Sequence, residues 1–286
     1  MGDRDYEDYL KRWGLQADMW TSMELLAVAT AREMAGSTFA FIGTGLPLLA
    51  ASLAQRTVAP NLTVILESGI VGPEIRHLPI SVADPRAAYR AATLSTMLDV
   101  FGMACRGFCT LGVLGAAECD RYGNLNSTAL GGYWRNGENR HLRLAGSGGA
   151  NSIASLADRI IVTMVHEKRR FPVRVQYLSS VAGRRGPGAE DRHHYGLFRG
   201  GTVTVVSDLG ILRPDPETGV LVLDAYYPGV DPEFIRANTG WELAIDEATP
   251  MPPPTAEELK VLRLQVDPGR FYLGRRVKGR KEDGKK

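Results

Sequence analysis

Hydrophobic positions along this chain fall in short, nearly unbroken runs, separated by glycine-rich or polar turns and alternating with stretches of helical periodicity. The runs STFAFI (37–42), LTVIL (62–66), GFCTLGVLGA (107–116), RIIVTMV (159–165), TVTVV (202–206) and GVLVLD (219–224) read as strands. Strands that are apolar on both faces are expected where helices cover both sides of a sheet. Thr21 and Glu24 have capping-box spacing and open a helix that runs through LLAVATAREM to a stop near Gly36. PLLAASLAQR (47–56) is a second helix, with Pro47 in its first turn. Ala92–Met103 reads as a third, Asp231-Pro232-Glu233 opens a short one, and Thr255 with Glu258 caps the last, to about Gln265. This order predicts an α/β protein with an open, mainly parallel sheet flanked by helices. There is no internal repeat and no clear interdomain linker. The reading is one domain over 21–273, after an N-terminal extension (1–20), with MPPPT (251–255) as a stiff spacer before the last helix.

Composition narrows the class. Of 286 residues, 44% are hydrophobic, enough for a sizeable core. The net charge of +2 is unevenly spread: Gly274–Lys286 carries seven basic and two acidic residues, leaving about −3 for the body. A nucleic-acid-binding body is therefore not expected, and the basic tail reads as a solvated end. The uncharged stretch Met34–Gln55 is long enough to span a bilayer, but Gly43-Thr44-Gly45-Leu46-Pro47 breaks it, so strand, loop and helix are expected there instead. The charged N-terminus is unlike a secretory signal. Three cysteines (Cys105, Cys109, Cys119) without such a signal point to free thiols and a cytoplasmic setting, and their spacing does not suggest a metal site.

The chemistry candidates are few. Glu67 follows LTVIL, where a parallel sheet presents side chains to ligands at the carboxyl ends of its strands. Partial desolvation there suits a carboxylate nucleophile, while a strand-end ion pair is the plainer alternative. Gly43-Thr44-Gly45 and Gly146-Ser147-Gly148-Gly149-Ala150-Asn151 stand at strand-to-helix turns. Their N–H groups either meet an anion or simply make tight turns, and neither loop is a complete dinucleotide or P-loop signature. Cys119–Asn126 reads as a loop with Asx turns. His166 follows a strand, as a structural or a catalytic residue. Ser68 lacks a nucleophile-elbow context. Arg76 or His77 pairs with a distal substrate carboxylate or lies in a solvated loop.

Taken together and in order, GTGLPLLAASLA, LESG, GAAECDRYGNLNS, GSGGANSIAS, HEKRRF and VVSDLGIL followed by TGVLVLDAYYPGVDPEFIRANTGWEL resemble the family I CoA-transferases, specifically the β subunit of glutaconate-type enzymes. The likeness covers about Thr21 to Glu242. Glu118-Cys119 departs from the family's usual Gln-Val, and Ser152 from a common Asp. The resemblance implies a CoA-transferase-like fold and Glu67 as nucleophile, with Gly148 and Gly149 as oxyanion donors. It further implies that Ser68, Gly69, Gly43, Gly45 and Asn151 lie near the CoA substrate. The implied mechanism is ping-pong, through a mixed anhydride and then a glutamyl-CoA thioester. No metal or tightly bound cofactor is implied, coenzyme A being part of the substrate. A separate α subunit is implied too, in a heterotetramer or larger, with no membrane or nucleic-acid partner. Two other readings of the same scaffold stay open: an acyl-CoA hydrolase or decarboxylase, and a non-catalytic ligand-sensing subunit.

Overall fold

The apolar runs become the centre of a single sheet. The computed structural model of the chain describes residues 3–131 and 142–274. Helix α1 (Asp3–Trp13) precedes α2 (Ser22–Arg32), strand β1 (Phe39–Ile42), α3 (Leu46–Arg56), β2 (Thr63–Ile65) and β3 (Ile70–Val71). There follow β4 (Thr93–Leu94), α4 (Met97–Cys105), β5 (Leu111–Leu114), β6 (Glu118–Cys119), β7 (Leu125–Asn126), β8 (Ala129–Leu130) and β9 (Leu142–Arg143). The rest comprises α5 (Ala150–Leu156), β10 (Arg159–Met164), β11 (Thr202–Ser207), β12 (Gly210–Pro214), β13 (Leu221–Tyr226), α6 (Pro232–Ala237), β14 (Thr249–Pro250) and α7 (Ala256–Val261).

Ten strands share the sheet in the order β14-β13-β12-β11-β10-β5-β1-β2-β3-β4. The run from β11 to β2 is parallel, and antiparallel hairpins extend it on both sides. The parallel strands are the buried ones: every residue of β5 and all of β10 after Arg159 lie in the core. Their continuous apolar character follows from that, since neither face meets water. Helices α2 and α3 pack together, α2 also against β10 and β11 and α3 against β1, while α5 packs on β5 and α4. The approach of α5 is close enough that a Cβ on Gly112 in β5 would stand 2.5 Å from Ile153 Cγ2 and 2.6 Å from Ile160 Cδ1. Glycine at 112 thus sets the depth of α5, and with it the position of the loop that starts the helix.

Several expectations shift. Ala92–Met103 is not one helix: Thr93 and Leu94 pair with β3, and α4 starts only after Thr96, which forms a capping box with Asp99. Strand β12 was not foreseen. The stretch Met34–Gln55 holds β1, the glycine turn and most of α3, and among the described residues no helix is long and apolar enough to cross a membrane. The MPPPT spacer is gripped by Arg32, which donates to the carbonyls of Pro252 and Pro253 and pairs with Glu258 at 2.7 Å. Except for Gly274, the basic tail lies outside the described residues.

The capping-box glutamate of α2 does more than cap. Glu24 is fully buried and accepts from Thr21 N (2.9 Å), Arg263 Nε (2.9 Å) and Arg270 Nη1 (2.8 Å). The two arginines also reach the hydroxyls of Tyr6 and Tyr9, so the N-terminal helix is fastened to the C-terminal segment through them. Burial alone would raise the Glu24 carboxyl, but Arg263 and Arg270 outweigh it and hold it below its usual value.

Candidate active site

Strand β2 ends at Ile65, and the chain turns back at once into antiparallel β3, with Leu66 N donating to Ile70 O and Gly69 N to Leu66 O. Glu67 and Ser68 occupy the tip of this turn. Gly69 has φ +101°, and a Cβ there would fall on the Ser95–Thr96 backbone that caps α4. Only glycine meets both demands. The turn is thereby wedged against α4, and the Glu67 side chain is directed to the loop before α5.

There the carboxylate meets the glycine loop. Gly149 N donates to Glu67 Oε2 at 2.6 Å. A Cβ on Gly149 would collide with that same oxygen and stand 2.6 Å from Phe101 Cζ, while one on Gly148 would lie 3.4 Å from Oε1. Phe101 stacks on Phe41 of β1, with ring centroids 5.6 Å apart, so the loop rests on a firm aromatic floor. The half-buried Glu67 lines a cavity of about 370 Å³ with Ile42, Gly43 and Thr44 at the end of β1 and Leu114, Gly115 and Ala116 at the end of β5. Three adjacent parallel strands therefore deliver their carboxyl ends to one opening, as the ligand-site rule for such sheets requires.

Among the sequence-derived candidates, Glu67, Gly148, Gly149 and Gly43 are brought together. Gly43 contributes wall, not an N–H donor, because its N–H is committed to Val113 O at 2.9 Å. Gly69 acts behind Glu67 as described. Ser68 points elsewhere: its Oγ is buried without a hydrogen-bond partner, and it lines a separate cavity of about 260 Å³ with Asp84 and Ser95. Gly45 precedes α3, where a Cβ would lie 3.9 Å from Tyr272 Cε1, outside the lining of the Glu67 cavity. Asn151 is exposed on α5, its side-chain oxygen accepting from Ser152 Oγ at 3.2 Å. Arg76 and His77 line yet another cavity, beside Arg86 and Phe271, and Arg76 pairs with Glu74. Thr44 and Ser147 join the wall from the two glycine loops, whereas sequence reasoning missed Ala117, Ser127 and Leu144 as wall residues and Phe101 as support. Small residues flanking strands carry little signal of their own.

The remaining polar candidates are structural. Asp120 is buried and accepts from Tyr122 N and Asn124 N, the Asx loop its sequence suggested; burial pushes its carboxyl up. Glu118 accepts from Asn126 Nδ2 at 2.8 Å across the β6–β7 hairpin. Cys109 and Cys119 are buried and Cys105 exposed, all free; burial pushes the Cys109 thiol up to about 12. Among the described residues no cluster of His, Cys, Asp or Glu could hold a metal ion.

His166 is not in the cavity. Its ring lies between Ser207 Oγ and Thr239 Oγ1, each 3.1 Å away, and stacks on Phe171. Burial pushes its pKa down to about 4. An unfolded chain binds a proton at this ring near pH 6.5, so the folded state loses stability as pH falls from there toward 4. Between pH 7 and pH 5 this ring alone removes about 2 kcal/mol of stability. In urea unfolding at the two pH values, a His166→Gln variant is expected to lose that part of the pH dependence; an unchanged slope would show that the ring does not supply it.

The chain is similar to known proteins over most of its length. A family model described as Coenzyme A transferase matches residues 23–238. The chain is 35% identical over 260 residues to the B-type subunit of glutaconate CoA-transferase from Acidaminococcus fermentans, covering 89% of this chain and 95% of that protein. It is 33% identical to the B-type subunit of 3-oxoadipate CoA-transferase from Pseudomonas knackmussii, over 85% of this chain and 92% of that one. The crystal structure of glutaconate coenzyme A-transferase from A. fermentans superposes with a TM-score of 0.80 at 34% identity, over 89% of this chain and 98% of that chain.

Proposed function

This chain belongs to the coenzyme A transferase family, and we propose that it is the nucleophile-bearing subunit of a two-subunit enzyme that moves CoA between an acyl-CoA and a free carboxylic acid. The observation that carries the reading is the Glu67 carboxylate, set at the mouth of three parallel strands with Oε2 held by Gly149 N–H. Glu67 Oε1 attacks the thioester carbonyl, the C–S bond breaks, and a mixed anhydride and the CoA thiolate result. The thiolate then attacks Cδ of Glu67. The displaced electron pair moves onto Oε2, where the Gly149 N–H already points, and collapse expels the first acid and leaves a glutamyl-CoA thioester. A second carboxylate reverses both steps and restores Glu67. Charge and atoms balance without water, redox change or net proton transfer.

One preorganised N–H donor of this kind is worth about 10²- to 10³-fold in rate. Gly148 N–H is the natural second donor, for the oxyanion of the acyl carbonyl. Coenzyme A enters as part of the substrate, and no tightly bound cofactor is invoked. Each of the two B-type relatives named above is one subunit of its CoA-transferase, which supports a partner subunit of α type; a heterotetramer or larger assembly acting in the cytoplasm is part of the same proposal.

The test is mass spectrometry of the enzyme assembled with its partner subunit, after incubation with a panel of acyl-CoAs and no acceptor acid. A CoA adduct on the peptide containing Glu67 is expected. Steady consumption of thioester without any adduct would replace transfer by hydrolysis.

A further inference from the structure

Two cavities flank the Glu67–Ser68 turn. Glu67 lines the one described above; Ser68, the next residue, lines the other, of about 260 Å³. Among the described residues one side chain, that of Val82, borders both. Val82 stands second in a β-turn, Ser81–Asp84, closed by Asp84 N donating to Ser81 O at 3.1 Å. The turn is secured twice more: Asp84 accepts from Ile80 N and Arg86 N, and Ala83 N donates to Ser81 Oγ. The longer loop that carries the turn is anchored as well. Ile75, Leu78 and Ala87 are buried, Arg56 donates to Ile75 O at 2.7 Å, and the Tyr272 hydroxyl donates to Pro79 O at 2.8 Å. A β-branched side chain on so constrained a backbone has few rotamers to choose from. Val82 is thus a fixed partition between the two spaces.

The chemistry beyond the partition is mainly apolar, with Ile70, Ala83, Pro85, Ala88 and Leu94 in the wall. Its polar members do not change that character. Asp84 is paired with Arg86 at 2.6 Å, and Ser95 Oγ donates to Asp99 at 2.6 Å. No cationic side chain is among the lining residues. The space suits a hydrocarbon chain and holds nothing to neutralise a carboxylate. On the Glu67 side, Ile42, Leu114, Leu144 and Ile153 stand in the wall, so a chain crossing from one cavity to the other would meet apolar surface throughout.

Resting on the CoA-transfer reading, we infer that Val82 sets the length limit of the acyl chain that reacts at Glu67, and that the cavity beside Ser68 is the space it withholds. A chain whose carbonyl lies at Glu67 fills the first cavity and ends against the Val82 methyl groups. Trimming Val82 opens a route into the second cavity; enlarging it shortens the first. The extension admits chains with an apolar end and rejects a terminal carboxylate, for want of a counter-charge.

The assembled enzyme is incubated with butanoyl-, hexanoyl-, octanoyl- and decanoyl-CoA without an acceptor acid. The initial rate of CoA-adduct formation on the Glu67 peptide is compared for the wild type, Val82→Ala and Val82→Leu. Val82→Ala is expected to raise the rate about 10-fold or more with the first chain beyond the wild-type limit, while shorter chains stay within about threefold. Val82→Leu moves the limit the other way. The mono-CoA thioester of the α,ω-diacid of that same length gains nothing from Val82→Ala. An unchanged chain-length profile in both variants, a uniform loss across the series, or an equal gain for the diacid thioester overturns the inference and leaves CoA transfer intact. Absence of an adduct from the wild type with every acyl-CoA of the wider panel would remove the CoA-transfer reading, and this inference with it.

Discussion

Glu67→Gln in the assembled enzyme is expected to lower kcat for CoA transfer by about 10⁴-fold or more, the scale seen when a covalent nucleophile is removed. Glutamine has the same length and offers a carbonyl oxygen to Gly149 N–H, so the hydrogen bond at 2.6 Å survives and the loop keeps its place. What is lost is the anionic oxygen that attacks the thioester. Glu67→Asp is the informative companion. It keeps the charge but withdraws it by one methylene from Gly149, and a misplacement of that order costs about 10²-fold. Melting temperatures of both variants should match the parent, because Glu67 lies half-buried at a turn tip, outside the core. A Glu67→Gln enzyme that keeps a tenth of the parent's transfer rate would rule out covalent catalysis at this residue.

The largest stability effect is expected from Glu24→Gln. Arg263 and Arg270 are both essentially inaccessible to solvent, and Glu24 is the carboxylate that neutralises them. An amide of the same shape leaves two buried guanidinium groups facing each other without a counter-charge. Removing one partner of a buried ion pair costs about 3–5 kcal/mol. For a chain of this size that lowers Tm by about 5–8 °C. The exposed pair Arg76–Glu74 provides the control: Glu74→Gln should leave Tm close to that of the parent. The pH dependence has a definite sign. The folded carboxyl of Glu24 is held below its usual value, so its contribution is complete above the unfolded pKa and fades as pH falls through the lower folded one. Calorimetry of the two variants decides the matter; equal Tm values would mean that the buried cluster contributes nothing beyond packing.

The same cluster shows how local and distant information divide. The capping box of Thr21 and Glu24 was legible because it is a spacing of three residues. That Glu24 also holds Arg263 and Arg270, and through them Tyr6 and Tyr9, was not, since those partners come from both ends of the chain. The N-terminal stretch therefore reads as a mere extension in sequence and as a fastened helix in the fold. Edge strands behave alike. Thr93–Leu94 has no apolar run to announce it and takes its conformation from pairing with β3.

At the candidate site, the sequence alone determined the parallel α/β architecture, the place of Glu67 at a strand's carboxyl end, and the glycine loops that could serve it. These are properties of burial period and turn chemistry, which each segment carries within itself. Tertiary structure alone decided which loop meets the carboxylate. Gly149, 82 residues away in sequence, donates to Glu67, whereas Gly43 spends its N–H on the sheet and Gly45 lies outside the cavity lining. It also turned Ser68 toward a neighbouring cavity and moved Arg76 and His77 to another. The reason is physical: a residue's type sets what its side chain can do, but the atom it faces depends on how strands hydrogen-bond in register and how closely a helix such as α5 can approach at Gly112.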